Sequence, residues 1–340
     1  MIEQYLREAP TDPQEWKRWY GERFHQVAVK PSIDARGLPD DTPIQRFMDL
    51  PKFLDLVAKQ RLILPRLKRL MDGDPFECSE AKMYDDFDRT KLQDYILSRE
   101  QYAPDLFNPY EYEPPGWHGG GQSSRSRYEH FVRSLTDEHL IDAAWYLERE
   151  RLKDDLVCGC WYLGRQESDA MWRIYANQIG VSVVSSVSRL KAGIQSCSVP
   201  KVCERDFTLT LAEVQYGDRK ECGRLPPWLI KRKSFEHEKE VRLYCDCLTV
   251  SYRGLELKVD LTALIEEIVV TPFADDWQCQ AIIAMIKSSS FKELNIRQSD
   301  HMRPPENAWP SSQTSSGGPF TGIIGTATAS LVSGPKDIQV

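Results

Sequence analysis

The sequence predicts an α+β protein in which a mixed or antiparallel sheet is surrounded by helices. Strand-like runs and amphipathic helical stripes follow one another irregularly, which favours α+β over a regular βαβ repeat. The chain has 340 residues, 41% of them apolar, enough for a sizeable hydrophobic core. A helical stretch at about residues 89–155 separates the early strand from the later ones and predicts a helical insertion.

The first 43 residues are predicted to form a short docking helix followed by a linker. Helical spacing relates four aromatic side chains, Trp16, Trp19, Tyr20 and Phe24. Pro and Gly residues then interrupt the pattern and predict the linker.

Residues 44–300 are predicted to form a single domain. It begins with a strand at 44–48, a helix at 50–64 and a surface turn at 72–77, and the insertion contributes helices at 89–103 and 127–153 around an irregular loop at 104–124. Later strands are predicted at 156–162, 180–185, 209–216, 238–250, 266–271 and 294–298, with helices at 168–177, 187–194 and 275–288. Residues 301–340 are rich in Pro, Ser, Gly and Thr, and predict a disordered tail.

Composition narrows the class of partner. The net charge of -7 argues against a broad surface for nucleic-acid phosphates. No stretch approaches the roughly 18 to 20 apolar residues of a membrane span, so no membrane partner is expected. Nine cysteines, an odd number without a signal-like start, predict reduced thiols in a cytoplasmic protein. A small-molecule ligand fits these properties, and a protein or nucleic-acid acceptor is left open.

Three short motifs follow one another along the chain. They are Asp74-Pro75-Phe76-Glu77, then Met171-Trp172 with Tyr175, then Phe235-x-x-Glu238-x-Glu240-x-Arg242. Over roughly residues 44–300 the ordered set resembles a bacterial family catalogued as domain of unknown function 2971. Gly73 replaces an Asn of the family pattern, and Val241 replaces an aromatic residue. The resemblance implies a shared fold, but no particular reaction, because the activity of that family is not generally established.

The third motif places charges on one face of a predicted strand. Side chains two residues apart share a face, so Glu236, Glu238, Glu240 and Arg242 are expected to project together. This arrangement is typical of an ion-pair ladder. Alternatively, crowded carboxylates raise one another's pKa and supply an acid or base near neutrality.

The order of Arg46, Ser185 and the Glu238-x-Glu240 pair is similar to that of ADP-ribosyltransferases. The resemblance implies an enzyme that uses NAD as substrate, in which Arg46 clamps the phosphates and Ser185 or Ser182 supports the strand geometry. Glu240 would stabilise an oxocarbenium-like transition state, and Glu238 would orient the acceptor. It also requires Arg46, Ser185 and Glu240 to converge on one cleft.

Three further side chains are candidates for holding the cofactor. Trp172 and Tyr175, three residues apart, would stack on a flat ring, and Arg242 lies beside the carboxylate pair. The alternative for the aromatic pair is an ordinary place in the core.

Metal chemistry is the least favoured class. Three acidic residues within six positions, Asp72, Asp74 and Glu77, could hold magnesium, but such a turn more often caps the next segment. Two Cys-x-Cys pairs, 158/160 and 245/247, lack the usual spacing of a zinc site. No metal is therefore expected.

The functions rank in the following order. An ADP-ribosyltransferase-like enzyme acting in stress or phage conflict leads, and a non-catalytic binding or regulatory module is the alternative. A metal-dependent phosphodiesterase comes third.

Overall fold

The computed structural model describes residues 12, 14–15, 17–18, 22, 25–74, 76–78, 88–99, 124–204, 207–223, 225–246, 254–288 and 293–302. These residues form an α+β fold with mixed and antiparallel sheets, which confirms the predicted class. The aromatic residues of the predicted N-terminal helix, the loop at 104–123 and the predicted tail beyond residue 302 lie outside the described residues.

The strands are numbered here in chain order. They are β1 (Gln26–Val29), β2 (Ser32–Ala35), β3 (Pro43–Asp49), β4 (Arg61–Leu64), β5 (Leu156–Leu163), β6 (Gly180–Ser186), β7 (Ile194–Pro200), β8 (Thr208–Glu213), β9 (Gln215–Tyr216), β10 (Ile230–Lys231), β11 (Glu240–Asp246), β12 (Leu255–Val259), β13 (Glu267–Val270) and β14 (Asn295–Gln298).

Eight strands form the main sheet in the order β14-β13-β6-β3-β5-β11-β8-β2. The six strands from β13 to β8 pair antiparallel, whereas the edge pairs β13–β14 and β2–β8 are parallel. β11, which carries the third motif, is therefore an interior strand, flanked by β5 and β8.

A second sheet, in the order β1-β7-β12-β4, shares the largest hydrophobic core with one face of the main sheet. On that face, here called the first face, lie Ile44, Trp161, Val183 and Val241. The opposite side of the main sheet, the second face, carries separate apolar clusters and the polar groups of the candidate site.

The described helices of seven or more residues are α1 (Leu50–Lys59), α2 (Leu67–Gly73), α3 (Arg89–Ser98), α4 (Ser124–Ser134), α5 (Asp137–Asp155), α6 (Val187–Gly193) and α7 (Asp276–Ser288). Helices α3, α4 and α5 pack around a small core of their own. Arg151 near the end of α5 donates to both carboxylate oxygens of Asp246, at 2.7 and 2.8 Å, and so ties these helices to β11. None of the described helices combines the length and apolarity needed to cross a bilayer.

Several predicted elements differ from those observed. Residues 26–35, predicted as linker, form β1 and β2, because apolar residues alternate there and partly bury one side of each strand. The predicted helix at 50–64 ends at Lys59, where Gln60 adopts a left-handed conformation with φ of 49°, and the chain continues as β4. The predicted strand at 238–250 begins at Glu240, after a 3-10 turn at Lys233–Glu238.

Candidate functional site

The three short motifs meet on the second face, beside β11. Glu77 of the first motif accepts a hydrogen bond from Nη1 of Arg242 at 2.6 Å. Tyr175 of the second motif donates its hydroxyl to Glu238 at 2.8 Å. Residues 165 and 63 positions apart in sequence are therefore joined by direct side-chain contacts.

Arg242 lies at the centre of this arrangement and is fully buried, with 0% of its surface exposed. Its Nε and Nη2 donate to the two oxygens of Glu240 at 2.8 and 2.9 Å, and Nη1 also donates to the carbonyl of Trp228 at 2.7 Å. Burial alone would raise the pKa of Glu240, but the charge and hydrogen bonds of Arg242 outweigh it and lower this pKa to about 2. Glu240 is therefore ionised at neutral pH.

Lys231 joins the second carboxylate to this centre. Its ammonium group donates to Glu238 and, at 3.5 Å, to Glu240. Burial alone would lower the pKa of Lys231, but the two carboxylates raise it above its ordinary value, so the amine stays protonated. The hydroxyl of Tyr216 accepts the backbone N–H of Glu240 at 2.7 Å and fixes the start of β11.

We call the five charged residues the ion network: Glu77, Lys231, Glu238, Glu240 and Arg242. All five are buried, and three carboxylates face two cations, so the network has a formal charge of -1. Buried charges of this kind are tolerated only when they are paired and hydrogen-bonded, as they are here.

The backbone around the ion network is strained. Among the described residues, four non-glycine residues have positive φ, and two of them, Cys78 and Lys239, are next in sequence to network residues, while a third, Asn177, ends the turn that contains Tyr175. Residues Trp172–Ala176, which contain Tyr175, form a π-helical turn. Left-handed residues and π turns cluster at functional sites, where surrounding contacts hold them in place. The backbone thus independently marks this region as the candidate site.

Part of the predicted charge pattern is wrong. Glu238 is not in β11 but in the preceding 3-10 turn, and Lys239, with φ of 39°, interrupts the alternation, so Glu236 stays exposed. Glu238, Glu240 and Arg242 nevertheless converge as predicted. The expected rise in the pKa of a crowded carboxylate does not occur at Glu240, because Arg242 and Lys231 separate the negative charges.

The expected convergence of Arg46, Ser185 and Glu240 is wrong. Paired strands present directly opposed residues on the same face, and Arg46 lies opposite Val183, on the first face. Ser185 points to the same face and donates to the carbonyl of Leu264 at 2.6 Å. Glu240 lies opposite Tyr162, on the second face, so the sheet separates it from both residues.

Ser182 is on the second face, where its hydroxyl donates to Gln45 at 3.1 Å. It is fully buried, and its hydroxyl is engaged by Gln45, which is not a member of the ion network. Its predicted role beside Arg46 is therefore not supported, because the two residues face opposite sides of the sheet.

The predicted cofactor-holding side chains have other surroundings. Trp172 is a core residue, packed edge to face on Phe47 with ring centroids 4.9 Å apart, and its Nε1 donates to Glu167 at 3.0 Å. Arg242 is enclosed by its partners and presents no surface to a ligand. Tyr175 is half-buried. Its burial and, to a smaller extent, the charge of Glu238 raise the pKa of its hydroxyl, which therefore keeps its proton and donates to Glu238.

The acidic turn does not assemble a metal site. Asp72 is exposed, whereas Asp74 accepts the backbone N–H of Phe76 at 3.0 Å and an N–H of Arg232 at 2.9 Å. Glu77 turns instead to Arg242. The turn therefore caps its own backbone, and no group of three metal-ligating side chains occurs in the part of the chain that the structure describes.

The cysteine pairs are also separated. Cys158 packs in a cluster of the second face, and Cys245 packs in the main core on the first face. A hydrogen bond to Cys158 and burial raise the pKa of Cys160, so its thiol stays protonated. Cys247 lies outside the described residues.

Sequence reasoning missed Lys231, Arg232 and Tyr216. A usable signal was the basic run at 231–233, since three cations directly before a Glu-rich motif are natural partners for its carboxylates. Nothing in the local sequence indicates Tyr216, whose hydroxyl reaches Glu240 from 24 residues away.

Comparison with protein-family models, curated proteins and solved structures found no match to this chain.

Proposed function

We propose that this chain is a non-catalytic binding or regulatory module, and that the carboxylate pair is part of its structural centre. The proposal rests on the burial and the hydrogen bonding of Glu240. Glu240 is 3% exposed, and Arg242 occupies both of its oxygens.

A catalytic carboxylate must reach the reacting atoms, and Glu240 is poorly placed to do so. Stabilising an oxocarbenium-like transition state requires direct approach to the ribose. Removing Arg242 from Glu240 to make room would leave buried charges without partners, a change that costs about 3–5 kcal/mol. Glu238 is similarly engaged, since one of its oxygens accepts from Tyr175 and the other from Lys231.

The direct test is incubation of the purified chain with NAD, followed by measurement of released nicotinamide. The expected release equals that of a blank without protein. If the wild-type chain releases nicotinamide and the folded Glu240→Gln variant does not, the proposal is overturned and the ADP-ribosyltransferase hypothesis gains.

A comparison of Glu240→Gln with Glu238→Gln tests the structural role. Each change leaves Lys231 or Arg242 with one fewer buried counter-charge, so each should lower the free energy of unfolding by about 3–5 kcal/mol. Chemical denaturation measures the effect. Glu236→Gln is the matched control, because Glu236 is exposed and its loss should change stability by less than about 0.5 kcal/mol. Unchanged stability in both network variants would contradict the structural role.

A further inference from the structure

Beside the ion network, two motif loops form a layered stack of aromatic rings and a cation. The guanidinium of Arg232 lies 4.5 Å from the ring centroid of Phe76 and 5.1 Å from that of Phe235. His237 stacks on Phe235 with an interplanar angle of 24° and a centroid distance of 6.5 Å. Side chains from two segments distant in sequence thus lie against one another.

An ion pair and a second cation–π contact hold the stack in place. Asp74 accepts an N–H of Arg232 at 2.9 Å, and the ammonium of Lys231 lies 4.6 Å from the Phe235 ring while it pairs with Glu238. Lys239, with φ of 39°, adopts a left-handed conformation at the end of the 3-10 turn that carries Phe235. The rings are therefore held in place before any ligand arrives, which lowers the entropic cost of binding.

Part of this surface is accessible. Phe76 is 56% exposed, a large value for a phenylalanine, and His237 is also exposed. Stacking of a base on an aromatic side chain contributes about 1–3 kcal/mol. An exposed ring held against a guanidinium is thus suited to a flat ligand.

We propose that the Phe76–Arg232–Phe235 stack binds the base of a nucleotide. The proposal rests on the binding function proposed above and names its ligand class. Recognition is by stacking on a preorganised surface, and the ion network holds that surface in position without contacting the ligand.

The test is calorimetric titration of the full chain with adenosine and AMP, both of which should bind. Phe76→Ala should weaken AMP binding about ten-fold, the lower part of the range for loss of one stacking contact, and Phe76→Trp should restore it. Leu54→Ala is the control, because Leu54 is 39% exposed on α1, away from the stack.

Two results would overturn this inference: no binding of adenosine or AMP by the wild-type chain, or equal binding by Phe76→Ala. Circular dichroism of each variant verifies that it is folded. The outcome is separable from that of the NAD assay, because a chain that binds no nucleotide still satisfies the non-catalytic proposal, whereas release of nicotinamide contradicts that proposal alone.

Discussion

The buried carboxylate of Glu240 makes the stability of this fold depend on pH. Its pKa in the folded chain is about 2, below the ordinary value of 4.5. A pKa lowered by folding stabilises the folded state at every pH above the ordinary value, and this contribution is lost as the pH falls towards the folded pKa. We expect the wild-type chain to lose stability between pH 4.5 and 2 more steeply than Glu240→Gln. Denaturant titrations across this range measure the difference, and parallel curves for the two proteins would refute the assignment.

Trp172 is the second informative residue, because sequence allowed it to be either core or ligand contact. With 0% of its surface exposed and Phe47 against its ring, Trp172→Ala should cost about 3–5 kcal/mol and reduce the soluble yield. Ile174→Ala, two positions along the same turn, is the control, since Ile174 is 52% exposed. Thermal melts compare the two, and equal midpoints would show that Trp172 does not contribute to the core.

At the scale of residues, sequence correctly grouped Glu238, Glu240 and Arg242 and wrongly included Glu236, and it did not predict which residues pair with these charges. Spacing by two residues was enough to group Glu240 with Arg242. The partners Glu77 and Lys231 come from a turn and from the two-residue strand β10, whose positions relative to β11 the pattern of β11 does not specify. The placement of Arg46 failed for a related reason: alternation within one strand does not tell which side faces a neighbour until the register is known.

Among the elements, the π-helical turn depends on one close backbone contact. A Cβ at Gly180 would lie 2.2 Å from the carbonyl oxygen of Ala176 and 2.6 Å from that of Met48. Gly180→Ala should therefore push the turn away from β3 and β6 and cost about 1–3 kcal/mol. Gly73→Ala is the matched control, because nothing lies within 4 Å of its added Cβ, and it should be neutral or stabilise by up to about 1 kcal/mol. Chemical denaturation ranks the two, and a neutral Gly180→Ala would contradict the close contact.

Elements with a strong local period were the predictable ones. β3, β5 and β6 were found near their predicted positions, since each is a run of β-branched or aromatic residues between turn signals. The strands β7 and β12 were not predicted. β7 begins directly after α6, and the two strands pair with one another and with β1 and β4, so their stability depends on contacts distant in sequence.

At the scale of the whole molecule, the α+β class could be predicted from the sequence, but the order and pairing of the strands could not. Mixed helical and strand periods lead to α+β without knowledge of any contact. The second sheet, by contrast, joins β1 to β7 and β4 to β12, partners well over a hundred residues apart along the chain. Such pairings are decided by the complementarity of complete faces, which single-sequence patterns do not contain.

The parallel edge pair of β2 and β8 has a consequence for how the chain is made. Ser32 and Thr208 are hydrogen-bonded neighbours although they are 176 positions apart in sequence. At about 5–20 residues per second, a ribosome needs roughly 9–35 s to supply the second strand after the first has been made. During that interval β8 does not yet exist, so β2 cannot pair with it. Its unpaired backbone groups are then open to association with other chains or with a chaperone. Slow, late closure of the sheet is thus a property of this topology.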